Sequence, residues 1–347
     1  MDTETSSEPL IAQYDGVVCD LDGVVYRGTD AVPGAPEALQ DMVTRGTKVV
    51  YATNNASRVP AEVAAQLAGF GAPATASDVV SSAQAGAARL AEGLEAGAAV
   101  LALGGAGVAE ALRDAGLTPV RVGDHVGPTG VDAVVAVLQG FGKELTVRDF
   151  ETAARLLTTG LPWVGTNDDA TLPLPWGQAP GNGAYIDLLA GALGRRPDVV
   201  GKPHPPLYGL ALERLGTSAA RTLAVGDRIG TDIVGAEASG LDSAWVLTGV
   251  DRPSDLAASS SSPTFVISSL AQLLQPYAAP VPDAGGWRCG AARATCGSGA
   301  LSIQQGSATP IEAVRAGLAA LLTLRGKGVS GDLLRREAKT LDRLLDD

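Results

Sequence analysis

Gly16-Val17-Val18-Cys19-Asp20-Leu21-Asp22-Gly23-Val24-Val25-Tyr26 is the stretch that decides the fold of this chain. Its apolar run, Val17 to Cys19, reads as a strand buried on both faces, the kind that parallel sheets require. The run ends in two carboxylates two residues apart, then a glycine that lets the backbone turn sharply. In an open α/β sheet, ligands sit outside the carboxyl ends of the strands, where this pair falls. Two acids at the mouth of an apolar strand repel each other and lose hydration unless a cation or a proton compensates. A divalent metal is the obvious compensation. Taken alone, Asp-x-Asp-Gly is equally a common surface turn, so the rest of the chain decides.

Working outward, Pro36–Arg45 has helical spacing and stops at Gly46, and Lys48–Thr53 is a second strand leading into Thr53-Asn54-Asn55. Pro60–Gly69 is a helix with proline at its first turn and glycine at its end. Strand–helix–strand–helix is the start of a doubly wound α/β pattern. A second set of elements begins near Ser82. Its helices are expected at Ala83–Glu95, Gly107–Ala115, Thr146–Thr159 and Ala184–Leu193, and its strands at Ala98–Leu103, Val131–Leu138 and Pro162–Gly165. Between Thr166 and Asn182 the chain is rich in Pro and Gly and reads as a long irregular loop, often a functional feature.

The first pattern then resumes. Val199-Val200-Gly201-Lys202-Pro203 leads into a helix Pro206–Leu215, a strand Thr222–Asp227, a helix Thr231–Ser239 and a strand Ser243–Leu247. A strand Thr264–Ile267 and a helix Leu270–Leu274 close it. The expected architecture is therefore α/β: a doubly wound parallel-sheet core from residues 10–81 and 199–275, and an inserted α/β cap domain over 82–198. A linker over 276–286 leads to a small C-terminal α+β extension, 287–347. In the extension, Trp287–Thr295 and Ala300–Gln304 read as a hairpin turning at Gly297-Ser298-Gly299, followed by helices Pro310–Arg325 and Ser330–Leu345. A segment of that size is near the lower limit for folding alone, so it is expected to pack on the main body or on a second copy in a homodimer. It is expected to support stability or association and to be dispensable for chemistry.

The chain has 347 residues and a net charge of −12, which argues against nucleic acid or an anionic membrane as partner. An anionic substrate must then be met by local cations or a bound metal. Met1–Pro9 is acidic and polar, unlike a signal peptide, and no apolar run is long enough to span a bilayer. Three cysteines make no disulfide framework, so the expected compartment is the cytoplasm, with Cys19, Cys289 and Cys296 structural.

Four strand ends carry polar groups in a fixed order: Asp20 with Asp22, Thr53 with Asn54, Lys202, and Asp227 with Asp232. A parallel sheet would bring all of them to one edge. Such a set suits phosphoryl transfer. The acids can hold Mg²⁺, a hard cation that takes oxygen ligands, while Lys202, Thr53, Asn54 and nearby amides hold phosphate oxygens.

These residues resemble the haloacid-dehalogenase-type phosphatases. The four motifs of that family stand here as Asp20-Leu21-Asp22-Gly23-Val24, Thr53-Asn54-Asn55, Gly201-Lys202-Pro203 and Gly226-Asp227-Arg228-Ile229-Gly230-Thr231-Asp232. The resemblance implies that Asp20 is the nucleophile that forms an aspartyl-phosphate. Asp22 would protonate the leaving alkoxide and then activate water. Asp20, the Asp22 carbonyl and Asp227 would ligate Mg²⁺, with Asp232 binding it directly or orienting its ligands. Too few positions separate Asp22 from Thr53 for a lid domain, while the stretch from Thr53 to Lys202 holds a whole one. That spacing is similar to the nitrophenylphosphatase-like branch, which includes phosphoglycolate, glycerol-phosphate and pyridoxal-phosphate phosphatases. It disfavours a sugar phosphomutase, and the second acid at position 22 disfavours a dehalogenase. His125 and His204 read as bystanders, although His204 lies close enough to Lys202 to touch the site entrance.

A small phosphorylated metabolite is the expected substrate, because a full cap excludes bulky ones. Its identity rests on the segment Thr166–Gly183. No Lys, Arg or His occurs from Leu161 to Tyr185, whereas Asn167, Asp168, Asp169, Gln178 and Asn182 all hydrogen-bond. A second anion, as in phosphoglycolate, would go unpaired at a cost of about 3–5 kcal/mol, unless Arg58 or Arg155 reached it. A polyol phosphate, glycerol phosphate first, suits the segment better. Phosphoglycolate and pyridoxal phosphate are the alternatives.

Overall fold

The computed structural model describes residues 7–122, 133–174, 176–297 and 300–346. The chain forms two compact units, Met1–Val49 with Thr217–Asp347, and Val50–Gly216. The first opens with β1 (Gly16–Cys19), buried along its whole length. A short ladder of β2 (Tyr26–Arg27) with β3 (Asp30–Ala31) follows, then α1 (Ala35–Thr44) with Pro36 in its first turn. Strand β4 (Lys48–Thr53) carries the chain into the second unit.

There, α2 (Pro60–Gly69) leads to β5 (Val79–Ser81), which pairs in parallel with β4, Thr53 opposite Ser81. Helix α3 (Ser82–Ala91) starts at a reciprocal cap in which Ser81 Oγ accepts from the Gln84 N–H and Gln84 Oε1 from the Ser81 N–H. The elements β6 (Ala99–Leu103), α4 (Ala106–Asp114), β7 (Thr118–Val120), β8 (Ala136–Gln139), α5 (Val147–Leu157) and β9 (Trp163–Gly165) come next. After β10 (Thr171–Leu174), β11 (Gly177–Pro180), α6 (Asn182–Leu193), β12 (Asp198–Val199) and α7 (Pro205–Leu215), the unit ends. A parallel sheet in the order β12-β9-β8-β6-β7 buries Leu101, Val137 and Trp163 with Leu157 of α5 and Ile186 and Leu189 of α6.

The segment Thr166–Asn182 is not irregular throughout, as the sequence suggested. Its middle is the antiparallel hairpin β10–β11, with Thr171 opposite Pro180. Its prolines mask the strand pattern, yet a two-stranded ladder leaves each strand an open edge where a missing N–H costs nothing. The strand expected at Val131–Leu138 is seen at Ala136–Gln139; positions 131 and 132, like His125, Ser298 and Gly299, lie outside the described residues.

The first unit then resumes with β13 (Thr222–Gly226), a π-helical turn Ile229–Ile233, α8 (Val234–Ala238), β14 (Asp242–Val246), α9 (Pro253–Ala258) and β15 (Phe265–Ile267). Its strands run parallel in the order β15-β14-β13-β1, with Cys19 opposite Val225 and Gly226 opposite Trp245. The stretch expected as a linker contains β16 (Val281–Asp283), the first strand of an antiparallel meander with β17 (Gly286–Cys289), β18 (Ala292–Gly297) and β19 (Ala300–Gln304). The single strand expected at Trp287–Thr295 is thus two, broken at Gly290, which takes a positive φ of 55°.

Two helices complete the extension, α10 (Pro310–Gly326) and α11 (Gly331–Arg343). They pack on the main body: Val314, Leu318, Leu321, Leu334 and Leu341 share one apolar cluster with Ile233, Trp245, Leu256 and Val266. Arg315 is buried in the same seam. Its guanidinium donates to the Val266 carbonyl at 2.8 Å and to Gln272 Oε1 at 3.1 Å, and lies 4.1 Å over the Tyr277 ring.

Candidate active site

In the first unit, the parallel strands place the expected acids at their carboxyl ends. Asp20 follows β1, its N–H donating to the Val225 carbonyl of β13 at 2.8 Å. Asp227 follows β13, and the π turn carries Asp232. One carboxylate oxygen from each of Asp20, Asp227 and Asp232 lies within 4.8 Å of the other two. Asp227 and Asp232 are buried and Asp20 half-buried, while Asp22, two residues further on, is exposed.

The buried acids are fixed by backbone. Asp227 Oδ2 accepts the Val250 N–H at 2.8 Å, and its own carbonyl accepts from the indole of Trp245 at 2.9 Å. Asp232 Oδ2 accepts the Arg228 N–H at 3.0 Å. Space around them is closed by absent side chains. A Cβ on Gly226 would lie 2.2 Å from Asp232 Cβ, and one on Gly249 would lie 1.8 Å from Asp227 Oδ2. Three carboxylates held this closely, two of them out of water, need a positive charge among them. The donor set is all oxygen, which fits a hard divalent cation such as Mg²⁺.

The loop after β14 went unnoticed in the sequence. Thr248 Oγ1 donates to the Gly23 carbonyl at 2.7 Å, Gly249 gives way to Asp227, Val250 donates to it, and Asp251 Oδ2 accepts the Ile229 N–H at 2.7 Å. Burial pushes the Asp251 carboxyl above the ordinary range, and the Ile229 N–H partly offsets this. Like the four motifs, Thr248–Asp251 follows an apolar strand; that position was the available signal.

The second unit holds the expected phosphate-side residues. Thr53 ends β4, where its Oγ1 accepts the Asn55 N–H at 3.0 Å. Lys202 is 4% exposed and its Nζ donates to the Ala52 carbonyl at 3.2 Å. Asn54 clamps the Lys202 peptide from both sides, Oδ1 accepting the Lys202 N–H at 2.8 Å and Nδ2 donating to its carbonyl at 2.9 Å. The Asn54 carbonyl accepts from Ser82 Oγ and from Asn167 Nδ2, each at 2.7 Å.

The segment expected to read the substrate divides in two. Asn167 and Asn182 are buried and spend their amides inside the unit: Asn182 Nδ2 donates to the Asn167 carbonyl at 2.6 Å, and Asn167 Oδ1 accepts the Asp169 N–H at 3.3 Å. Asp168 and Asp169 stay partly exposed. Asp169 Oδ2 accepts from Asn54 Nδ2 at 3.2 Å, and Asp168 Oδ2 lies 3.4 Å from His204 Nε2. Gln178 is exposed on β11. Arg58 turns back onto α2, donating to the Glu62 carbonyl at 2.9 Å and to Gln66 Oε1.

Comparison with known proteins agrees with this chemistry. A model described as haloacid dehalogenase-like hydrolase matches residues 17–118, and a second, HAD-hydrolase-like, matches 199–273. The chain is 37% identical to a D-glycerol 3-phosphate phosphatase of Mycobacterium tuberculosis, over 95% of this chain and 92% of that one. It is 33% identical to the 5'-nucleotidase YutF of Bacillus subtilis, over 76% of this chain and 98% of that one. A crystal structure of the M. tuberculosis glycerol phosphate phosphatase in complex with magnesium superposes with a TM-score of 0.79 at 36% identity, covering 91% of this chain and 92% of that one. By family matches, full-length relatives and fold, the chain belongs to the haloacid dehalogenase-like hydrolases, and the relatives it matches are phosphatases.

Proposed function

We propose that this protein hydrolyses a small phosphomonoester, glycerol phosphate first, with Mg²⁺ held by Asp20, Asp227 and Asp232. The observation that carries the reading is the convergence of those three carboxylates in a pocket that glycines close. The bound metal supplies charge neutralisation at the phosphate. A carboxylate oxygen of Asp20 attacks phosphorus and the P–O bond to the leaving alkoxide breaks, giving an aspartyl-phosphate. Asp22, exposed and two residues on, protonates that alkoxide. It then takes a proton from the water that cleaves the acyl phosphate and regenerates Asp20. Lys202, whose peptide Asn54 holds, and Thr53 hold phosphate oxygens and stabilise the charge that develops on them. Residues 82–198 serve as the cap domain that keeps bulk water from the reaction.

Two observations support glycerol phosphate. The M. tuberculosis relative named for that substrate matches nearly the whole chain. The segment Leu161–Tyr185 offers partly exposed Asp168 and Asp169, which accept from hydroxyls, and no Lys or Arg to pair a second anion. His204 beside Asp168 completes the set that would meet the substrate's far end. Free thiols at Cys19, Cys289 and Cys296 support a reducing compartment, the cytoplasm. Among the described residues, no helix is long and apolar enough to cross a membrane. A homodimer is one possible assembly, which light scattering reads directly.

The test is phosphate release from glycerol 3-phosphate, phosphoglycolate, pyridoxal phosphate and a nucleoside 5'-monophosphate under identical Mg²⁺, before and after EDTA. The expected result is the highest kcat/KM on glycerol phosphate, abolished by chelation and restored by Mg²⁺. A clear preference for another ester overturns the substrate. Turnover that survives exhaustive chelation overturns the metal.

A further inference from the structure

Helix α9 begins two residues after Asp251, at the exit of the loop that holds Asp227. Both of its ends are fixed by the C-terminal extension. At the start, Asp342 Oδ1 of α11 accepts the Ser254 N–H at 3.0 Å, and Arg252 Nη2 donates to Asp346 Oδ1 at 2.8 Å. At the end, Arg325 of α10 donates to the carbonyl of Ser261 at 3.0 Å and to Ser262 Oγ at 2.6 Å. Acids at the start of a helix and a cation past its end complement its dipole. Between the two ends, Leu256 and Ala257 pack with Leu334, Ala338 and Leu341 of α11.

The loop that α9 anchors reaches each segment that carries an acid. Thr248 bonds Gly23 beside Asp22, Val250 bonds Asp227, and Asp251 bonds Ile229 at the start of the turn bearing Asp232. A continuous path therefore runs from the C-terminal helix to the acid cluster: a hydrogen bond from Ser254 to Asp342 at one end, the backbone from Ser254 back to Val250, and a hydrogen bond from Val250 to Asp227 at the other. We propose that Asp342 is a positioning residue for the metal centre, and that the extension sets metal affinity by holding loop 248–251 against Asp227. This rests on the proposed Mg²⁺ site.

The experiment uses the full-length protein, with Mn²⁺ as probe, its free concentration read by electron paramagnetic resonance. Amide hydrogen exchange of residues 247–254 is followed in parallel without metal. Asp342→Ala is expected to weaken Mn²⁺ binding about three- to tenfold, as loss of a helix cap allows, and to speed exchange in that segment. Saturating Mn²⁺ should bring kcat back to within about twofold. Asp342→Asn keeps an acceptor for the Ser254 N–H and should rescue both readouts. Leu341→Ala, a cavity in the same helix, should lower Tm at least as much with Mn²⁺ affinity unchanged. Unchanged Mn²⁺ affinity in Asp342→Ala, or equal weakening in Leu341→Ala, overturns the proposal. So does unaltered exchange at 247–254, even if the wild type binds no Mn²⁺, a result that would overturn the metal centre itself. Should Asp342→Ala fail to fold, Asp342→Asn with wild-type exchange and affinity, set beside Asp346→Ala with faster exchange, supports it; no change in Asp346→Ala overturns it.

Discussion

The first unit holds the expected acids and the second the expected lysine, and each fixes its own set in an opposite way. The acid half, in the first unit, is made by removal. Gly226 and Gly249 leave room that Asp232 and Asp227 fill, and backbone N–H groups of Arg228 and Val250 fix the carboxylates. The lysine half, in the second unit, is made by addition, with amide side chains of Asn54 and Asn167 tying backbone to backbone around Lys202. A site for a small cation needs close approach and tolerates no extra atom. A site for a phosphate needs a cation held at a fixed distance, which bidentate amides provide. The two halves should therefore fail differently under substitution.

The severest break of the acid half is truncation after Pro276. The sequence suggested that turnover would survive it provided the core still folds, and Trp245, Leu256 and Val266 are covered by α10 and α11. Losing that cover should leave no soluble folded protein, read by size-exclusion chromatography and circular dichroism. Next, Asp20→Asn should keep the fold and lower phosphate release by more than about a thousandfold, because an amide is a poor nucleophile. Gly249→Ala forces a methyl group into Asp227 and should cost at least about a hundredfold in Mn²⁺ affinity, measured by titration calorimetry, since it meets the whole Asp227 side chain down to its Cβ at 2.1 Å and displaces the carboxylate.

The lysine half should bend where the acid half breaks. Asn54→Ala strips both partners from the Lys202 peptide and is expected to cost about 2–4 kcal/mol, seen as a lower urea midpoint. KM should rise about tenfold while Mn²⁺ affinity stays as it was. Smallest of all, Arg58→Ala removes a half-buried side chain engaged with its own helix and should change kcat/KM by less than about twofold and stability by less than about 0.5 kcal/mol. A large Arg58 effect on phosphoglycolate alone would reopen the second-anion question.

What was legible in the sequence follows from how each residue acts. In the proposed reaction Asp20, Asp227 and Lys202 act through charged side chains at the ends of apolar runs, and both charge and position can be read in one dimension. Gly249 and Val250 act through space and a backbone N–H, which leave no chemical signature, so the loop looked like any surface turn. Asn167 and Asn182 carry the right chemistry for a hydroxyl, but only the structure reveals that both are buried with their amide nitrogens already engaged. The pairing of β18 with β19 was legible, but β16 and the break at Gly290 hid in a stretch of Pro, Ala and Gly because the strands there are short and half-exposed. Helix α9 was missed for brevity: six residues bury little unless another helix lies against them, and that helix comes some seventy residues later.

The first unit is discontinuous, and that sets a timetable for synthesis. Its opening segment ends at Val49 and the remainder starts at Thr217, while Val50–Gly216 is a single continuous stretch. On a ribosome adding about 5–20 residues per second, the second unit is complete well before the first, whose N-terminal piece waits roughly 15–60 s for the last helix. Until β13 has been made, β1 is an apolar strand with one flank unpaired. A nascent chain in that state is a client for a holdase, and slow translation beyond Gly216 would prolong the exposure. Expression hosts that pause there should yield aggregate from a protein whose finished fold is sound.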